Sequence, residues 1–395
     1  MVFGDSPMNM NQRMPKEAEN IRTWVEIDTK ALHHNYRVFR KLIPPKCRIM
    51  AVAKSNAYGH DLVQFVSHLA RMGADWFAVD SITEALALRR QHIKQPILVL
   101  GYTLPSRFAD AADNDIRITI SSFDGLKALA HSSKKPMIHL KVDTGMHRQG
   151  FQLFEIPKVM QWLKRYARSS GKRSAVFLEG LYTHFAASKN PAFPKETKKQ
   201  IEEFEQISRM LHDAGFKFLR HAAATAAAII FPTTHFDMVR IGIGLYGLWP
   251  SPETRAAFEN VLQLRPVLSW RTIISEVKKI PKGSRMGYDL TEEVSRNSKI
   301  AVCPIGYWHG YPRVLSSIGH VLVRGRRAKV LGRVSMDMVC IDVTNVPGIA
   351  VGDVVTLIGK DGKETIFAED LALLCGTTGY EFLTRLNPLM KRLYR

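Results

Sequence analysis

Cysteine and long apolar runs are scarce in this chain. Its 395 residues include only 4 cysteines, whose spacing fits neither a CxxC pair nor a Cys/His metal site. We therefore expect free or buried thiols in a reducing cytoplasm and no bound metal. The longest run of small apolar residues, 222–231, is about half as long as a membrane span. This predicts a soluble protein without a membrane partner.

Acidic residues are scarce as well. The chain has 36 Asp plus Glu against 56 Lys plus Arg, a formal net charge of +20 at pH 7. Such a balance can favour anionic partners, including nucleic acids. The basic residues are scattered, however, and no helix-turn-helix, zinc-finger or RNA-binding signature is present. We expect a basic, solvated surface and no nucleic-acid partner.

The composition and the hydrophobic pattern divide the chain into three segments. Residues 1–22 are polar and Met-rich, which we interpret as a disordered tail rather than a secretory leader. From 23 to 265, β-branched runs alternate with amphipathic helical segments. From 266 to 395, short strand-like segments lie between Gly, Pro and Asp turns, which predicts a C-terminal mainly β domain. The strand candidates of the middle part are 24–27, 48–53, 76–79, 97–100, 117–120, 137–142, 178–182 and 238–241.

Eight strands with crossover helices favour a (β/α)8 TIM-type barrel over an open doubly wound sheet. The chemistry of such a barrel lies on the loops at the carboxyl ends of its strands. Lys54 ends one strand candidate, in the segment AVAKSNAYGH at 51–60. Apolar surroundings favour the neutral amine that forms a Schiff base with an aldehyde. An ordinary surface lysine is the alternative.

Two further signals follow later strand candidates. The segment RIGIGLYG at 240–247 satisfies GxGxxG, but its late position and the lack of an acidic residue about twenty positions downstream exclude a dinucleotide fingerprint. Glycine turns after the last strands of a barrel can bind phosphate, and a plain turn is the alternative. His184 and His221 each follow an apolar segment; structural histidines are the alternative to catalytic ones.

In this order and spacing, the motifs resemble those of the alanine racemases, pyridoxal-phosphate enzymes with a (β/α)8 barrel followed by a β domain. The resemblance spans about residues 23–385. It implies a cytoplasmic isomerase that interconverts L- and D-alanine and supplies D-alanine for peptidoglycan of the cell wall. It also implies a homodimer in which the β domain of one subunit covers the barrel mouth of the other.

Two other functions remain open. One is a serine or broad-spectrum amino-acid racemase on the same scaffold, disfavoured by the lack of the leader that exported members carry. The other is a non-catalytic cofactor-binding protein, disfavoured because both residues that match the catalytic bases, Lys54 and Tyr288, are present.

The resemblance also implies a role for each site residue. Lys54 matches the lysine that holds pyridoxal 5'-phosphate as a Schiff base and acts on the D-face of the substrate, and Tyr288 matches the second base, on the L-face. Arg240 matches an arginine that faces the pyridine nitrogen, with His221 and His184 behind it. The other matches are phosphate-binding residues (Tyr58, Thr225, Gly242, Ile243, Tyr380), substrate-binding residues (Arg148, Tyr307, Met336) and a lysine that is carbamylated in many members (Lys141).

Three segments depart from the family pattern. Ala224 stands where the family often has asparagine, and Ser335 replaces the cysteine of a Cys-Met-Asp turn. The usual Tyr-Ala-Asp-Gly is here YWHG at 307–310. None of these changes removes a proton-transfer group. They bear instead on pocket shape, cofactor affinity and substrate breadth.

Overall fold

The computed structural model describes residues 16–168 and 177–395. They form two compact units: one of residues 31–57 and 62–265, the other of residues 16–30, 58–61 and 266–395. The domain bounds expected from the sequence, 23–265 and 266–395, stay a prediction. Most of the expected tail, 1–15, lies outside the described residues. Of its remainder, Lys16–Ala18 form a 3-10 turn, and Ala18 packs against Trp24 and Leu393.

The first unit contains eight parallel strands in chain order, and the last strand, Met238–Ile241, pairs with the first, Arg48–Val52. An isolated parallel bridge between Ala224 and Arg240 joins the remaining edge. The predicted (β/α)8 TIM-type barrel is therefore confirmed. The strands are Arg48–Val52, Trp76–Val79, Ile97–Val99, Ile116–Ile120, Ile138–Lys141, Leu178–Tyr182, Leu219–His221 and Met238–Ile241.

One strand assignment was wrong, and one strand was missed. The segment predicted as the first barrel strand, 24–27, lies in the strand Thr23–Ile27, which pairs with Leu268–Ile273 and Lys391–Tyr394 in the other sheet. The seventh barrel strand is Leu219–His221, parallel to Leu178–Tyr182. Its three residues include an arginine and a histidine, so no apolar run marks it in the sequence.

The long helices of this unit bury one face each, whereas the short helix Thr225–Ile230 is buried at all but its last residue. Lys195–Asp213, for example, buries Phe204, Ile207 and Leu211 at helical spacing, whereas Ile116–Ile120 is buried along its whole length, as expected for a parallel sheet covered on both faces. The first two residues of Thr29–Leu42 and the last residue of Lys54–Tyr58 belong to the other unit. The helices are Thr29–Leu42, Lys54–Tyr58, Leu62–Arg71, Ile82–Arg90, Phe108–Asp113, Phe123–His131, Ile156–Arg168, Lys195–Asp213, Thr225–Ile230 and Pro252–Phe258.

The second unit is mainly β, as predicted. Neighbouring strands of its main sheet are antiparallel, except that Thr23–Ile27 and Lys391–Tyr394 are parallel. Its strands are Thr23–Ile27, Leu268–Ile273, Glu276–Ile280, Arg285–Met286, Glu292–Glu293, Ser298–Cys303, His320–Val323, Arg326–Leu331, Val339–Asp342, Val354–Asp361, Glu364–Ile366 and Lys391–Tyr394, and its helices are Ala368–Leu374 and Gly379–Thr384. Among the described residues, no helix is long and apolar enough to cross a membrane.

Candidate active site

Ionisable side chains collect at one edge of the barrel, where its strands end. Lys54 follows the first strand, Lys141 ends the fifth, His184 follows the sixth and His221 ends the seventh. Because the carboxyl ends of parallel strands meet at one edge, residues far apart in sequence come to the same face of the barrel. The structure thus brings these predicted site residues together where barrel enzymes carry their chemistry.

Arg240 lies in the last barrel strand and is only 3% exposed. Its Nη1 donates to the carbonyl oxygen and Nδ1 of His221, at 2.9 and 3.1 Å. Its Nη2 donates to the carbonyl oxygens of Thr183 and Ala222, at 2.8 and 2.9 Å, and to Nδ1 of His184 at 3.2 Å. Within the described part of the chain Nε makes no hydrogen bond, so one directed donor remains for a bound group. Burial lowers the pKa of Arg240 to about 10, and the guanidinium stays charged at neutral pH.

His184 is surrounded by cations. Burial, followed by the charges of Arg240, Arg148, Lys141 and Lys54, lowers the pKa of His184 to about 3. The imidazole is therefore neutral at physiological pH, and its Nδ1 accepts from Arg240. Several positive groups around a neutral ring leave positive charge at the barrel edge, which suits an anionic ligand.

Lys141 is buried and made less basic by its surroundings. Burial, then Arg148, then Arg240, lowers the pKa of Lys141 to about 8. Its Nζ donates to Oε1 of Gln149 at 3.2 Å and lies 5.5 Å from the centre of the Tyr182 ring. A substantial fraction of this amine is therefore neutral and nucleophilic near neutral pH.

The backbone immediately after Lys54 is left-handed. All four residues 55–58 have φ between 50 and 57°, and none is a glycine. Each residue in this conformation costs about 1–2 kcal/mol, so the surrounding structure must hold the turn.

Glu84 holds the left-handed turn through its carboxylate. Oε1 accepts from the backbone N–H of Asn56 at 3.0 Å, and Oε2 accepts from that of Asp80 at 2.9 Å. Oδ1 of Asn56 in turn accepts from the N–H of Leu62 at 2.9 Å. Sequence reasoning missed Glu84; its only local signal is the helix-capping pattern that it completes with Ser81.

The predicted phosphate residues of the barrel unit also lie together. Oγ1 of Thr225 accepts from the N–H of Gly242 at 3.1 Å, and the 3-10 turn Ile243–Tyr246 begins at the next residue. Within the described chain, the N–H groups of Ile243 and Gly244 make no hydrogen bond. Free amides at the start of a helical turn are available to an anion.

Two glycines of the GxGxxG motif have packing or conformational reasons of their own. A Cβ on Gly244 would lie 2.3 Å from Cζ of Phe39 and 2.9 Å from Cγ2 of Thr225, so only glycine fits there. Gly247 has a φ of 78°, which glycine adopts at little cost. The motif therefore combines available amides with an ordinary tight turn.

Tyr58 and Tyr380 lie in the other unit, with their ring centres 6.1 Å apart. Both are largely buried, and burial raises the pKa of each hydroxyl, so both are neutral donors at physiological pH. Their predicted phosphate-binding role stays a prediction.

The other predicted residues of the second unit are solvent-exposed: Tyr288 by 68%, Met336 by 55% and Tyr307 by 43%. The segments of Tyr307 and Met336 pack together, because the backbone N–H of Tyr307 donates to the carbonyl of Ser335 at 3.1 Å. A Cβ on Gly306 would lie 2.1 Å from that same carbonyl oxygen, so glycine is required for this close approach.

Sequence reasoning also missed two polar residues that connect to Arg240 through His221. These are His139 in the fifth strand and Glu179 in the sixth. A histidine and a glutamate inside otherwise apolar barrel strands are the signal that could have revealed them, because buried polar groups need partners.

Family models identify both parts of the chain. The N-terminal domain of alanine racemases matches residues 27–250, and the C-terminal domain matches residues 267–394. The chain belongs to the alanine racemase family. It is accordingly an isomerase, an amino-acid racemase, with the barrel and β domain of that family.

Individual relatives agree over nearly the whole length. The alanine racemase of Leptospira interrogans is 36% identical over 392 residues, covering 98% of this chain and 99% of the relative. That of Methanococcus maripaludis is 38% identical, with coverages of 94% and 98%. Among solved structures, an alanine racemase of Bacillus anthracis with bound L-Ala-P superposes with a TM-score of 0.88, at 34% identity and 95% coverage of both chains. The biosynthetic alanine racemase of Pseudomonas aeruginosa gives 0.81, at 32% identity, with coverages of 95% and 99%.

Proposed function

We propose that this chain interconverts L- and D-alanine with pyridoxal 5'-phosphate attached to Lys54, and that it supplies D-alanine for peptidoglycan. The observation that carries the proposal is the positive charge at the barrel edge, where Lys54, Lys141, Arg148 and Arg240 act together on a neutral His184. A phosphate and an amino-acid carboxylate are the anions that such a set would bind.

The residues present fit the cofactor. Lys54 offers the amine, Nε of Arg240 offers a donor for the ring nitrogen, and the amides of Ile243 and Gly244 beside Thr225 offer donors for the phosphate. When bound, pyridoxal phosphate supplies an electron sink that acidifies the α-hydrogen of an attached amino acid. Arg240 donates a hydrogen bond but keeps its proton, which limits the depth of that sink and disfavours transamination.

Inversion at the α-carbon needs one base on each face of the substrate. Lys54 Nζ would serve the D-face, and the hydroxyl of Tyr288 the L-face: one removes a proton and the other delivers one. A tyrosine has an ordinary pKa near about 10, so nearby positive charge is needed to stabilise its phenolate. The cations that act on His184 at the barrel edge, including Arg240, are suited to supply it.

Exposure of Tyr288, Tyr307 and Met336 favours a shared site in a homodimer. Tyr288 of the partner subunit would complete the pair of bases, and Tyr307 and Met336 of the partner subunit would line the substrate pocket with Arg148. In an isologous dimer, two such sites form by symmetry.

Lys141 is suited to carbamylation, as the family resemblance implies. Its neutral amine would add carbon dioxide, form an N–C bond and release one proton. The product would replace a cation beside Arg148 by an anion, which would then orient the guanidinium toward the substrate carboxylate. The lowered pKa of Lys141, about 8, makes the neutral amine accessible.

Two measurements on the purified, cofactor-loaded protein test the proposal. Borohydride reduction and peptide mapping should place the pyridoxyl mass on Lys54, and Lys54→Ala should abolish it, whereas Lys46→Ala, at an exposed lysine, should not. Racemisation measured with alanine, serine, lysine and arginine should be fastest for alanine. A pyridoxyl group on another lysine would contradict the assignment, and faster turnover of serine or lysine would replace the proposed substrate.

A further inference from the structure

Below Arg240, a line of polar side chains continues into the barrel. Nε2 of His221 lies 2.8 Å from Nδ1 of His139, and Nε2 of His139 lies 3.4 Å from Oε2 of Glu179. Both histidines are fully buried. Glu179 is held by Arg117, whose Nε and Nη2 donate to its two carboxylate oxygens at 2.8 and 3.3 Å.

The donor at the upper end favours one direction of proton donation along the line. Arginine can only donate, so Nδ1 of His221 accepts from Arg240 as long as the two groups keep their 3.1 Å contact. Burial lowers the pKa of both histidines, and each neutral ring therefore carries one proton. The proton of His221 is on Nε2 and is donated to Nδ1 of His139. The proton of His139 is consequently on its own Nε2, which faces Glu179.

The carboxylate at the lower end selects the same direction. In the opposite pair of tautomers, the Nε2 lone pair of His139 would face the negative carboxylate of Glu179, and the N–H on Nδ1 of His221 would face the guanidinium of Arg240. Both ends would then be repulsive in a buried, weakly screened interior. An apolar residue at position 179 would remove one of the two constraints.

We propose that Glu179 is a positioning residue for Arg240: by fixing the tautomers of His139 and His221, it keeps Nδ1 of His221 as an acceptor for the guanidinium. The Nη groups of Arg240 then keep their acceptors, His221 among them. The guanidinium is thereby held in one orientation, and its Nε stays available to a bound group. This inference rests on the proposed function only in that Arg240 is there taken to contact the cofactor ring.

Two variants test the role of Glu179 in the cofactor-loaded dimer. Glu179→Gln keeps the shape and removes the charge. The double variant Glu179→Leu/Arg117→Met removes both members of the ion pair, so that no lone buried charge threatens folding. The matched control is Glu26→Leu/Arg271→Met, because Arg271 Nε and Glu26 Oε2 form a similarly enclosed pair, 3.0 Å apart, in the other unit.

The direct readout is the ring ¹⁵N chemical shifts of labelled histidines, with signals assigned through His139→Gln. In the unmodified protein both His139 and His221 should carry their proton on Nε2. In the double variant the opposite tautomers should become populated, and kcat should fall about tenfold or more with little change in KM, as expected when a catalytic group loses its orientation. Glu179→Gln should shift the tautomer populations and lower kcat in the same direction, but by less.

The controls separate this role from simple destabilisation. The Glu26→Leu/Arg271→Met control should leave the tautomers and kcat unchanged. Unchanged tautomers with an unchanged kcat in the Glu179 variants would overturn the proposal, and so would a loss of kcat without any change of tautomer. Failure of the unmodified protein to racemise alanine would instead refute the proposed function, because the tautomers are measured without reference to turnover.

Discussion

The two units carry their candidate site residues in opposite ways. In the barrel unit, Arg240 and His221 are buried and tied by several hydrogen bonds each. In the second unit, Tyr288, Tyr307 and Met336 are exposed, together with neighbouring Trp308. Large exposed apolar side chains of this kind are typical of a surface that another chain covers. This difference supports the proposed shared site, in which the barrel half comes from one chain and the exposed half from a second chain.

The largest expected effect follows from this division. Lys54→Ala and Tyr288→Phe homodimers should each be nearly inactive, and mixing them with subunit exchange should restore activity. In an equal mixture half of the dimers are mixed, and each mixed dimer has one intact site, so about a quarter of the unmodified activity should return. The measurement is racemisation of alanine before and after exchange.

The control for subunit exchange uses a third protein. Lys54→Ala mixed with the double variant Lys54→Ala/Tyr288→Phe should remain inactive, because no intact pair of bases can form. Continued inactivity of the first mixture, with exchange verified, would show that both bases come from one chain or that Tyr288 is not a base.

The sequence predicted the barrel well, but not the sheet that each strand joins. The pattern of Thr23–Ile27 is strand-like in any sheet, and its partners, Leu268–Ile273 and Lys391–Tyr394, are more than 240 residues away. Leu219–His221 was missed for the opposite reason, because backbone pairing alone marks it as a strand. The local pattern of apolar residues indicates how a segment is buried. It does not indicate which distant strands the segment pairs with, or in what register.

The same distinction holds for the site. Lys54, His184 and His221 lie in short motifs at strand ends that made them candidates, and the family resemblance implied roles for them and for Arg240. Glu179 was not predicted, because its importance comes from a ring 3.4 Å away on a strand about forty residues earlier. Contacts of this kind arise only when the barrel closes.

The second expected effect concerns the backbone that supports Lys54 in the barrel half of the site. Glu84→Ala removes the acceptor of two backbone N–H groups, one of them in the left-handed turn after Lys54. Since hydrogen bonds to a charged group contribute about 1.5–3 kcal/mol each, we expect a loss of about 3 kcal/mol in the free energy of unfolding. Denaturant unfolding measures it, and kcat should fall as well because Lys54 loses its support.

Glu155→Ala is the matched control, because Glu155 accepts a single backbone N–H, that of Gln152, at another helix start. It should cost about 1 kcal/mol and leave kcat unchanged. If Glu84→Ala were as stable and as active as the control, the left-handed turn would not depend on the carboxylate of Glu84.

The third effect uses pH. His184 has a folded pKa of about 3, below its unfolded value of about 6.5, so at pH 5 the unfolded chain binds a proton that the folded chain does not. Stability is therefore lost as the pH falls below about 6.5, and between pH 7.5 and 5.0 this residue should account for about 2 kcal/mol. The loss measured for His184→Asn should be smaller than that of the unmodified protein by this amount. His212→Asn, at an exposed histidine, should show the unmodified loss; equal losses in all three proteins would contradict the assignment.

The smallest expected effect concerns Ala224, the residue of the barrel unit that departs from the family pattern. Ala224 precedes the helix Thr225–Ile230 with an extended backbone, φ −89° and ψ −176°, and provides no side-chain cap. An asparagine there could accept from an N–H of the first helical turn, so Ala224→Asn should raise the free energy of unfolding by about 1 kcal/mol. Ala256→Asn, at an exposed position inside the helix Pro252–Phe258, is the control and should lower it slightly, because asparagine is a poorer helix former than alanine.

Denaturant unfolding without and with pyridoxal phosphate distinguishes two causes. A gain in both states means that the cap acts on the helix alone. A gain only without the cofactor means that asparagine and phosphate compete for the same N–H groups. If Ala224→Asn is no more stable than Ala256→Asn in either state, the helix start is not limited by its missing cap.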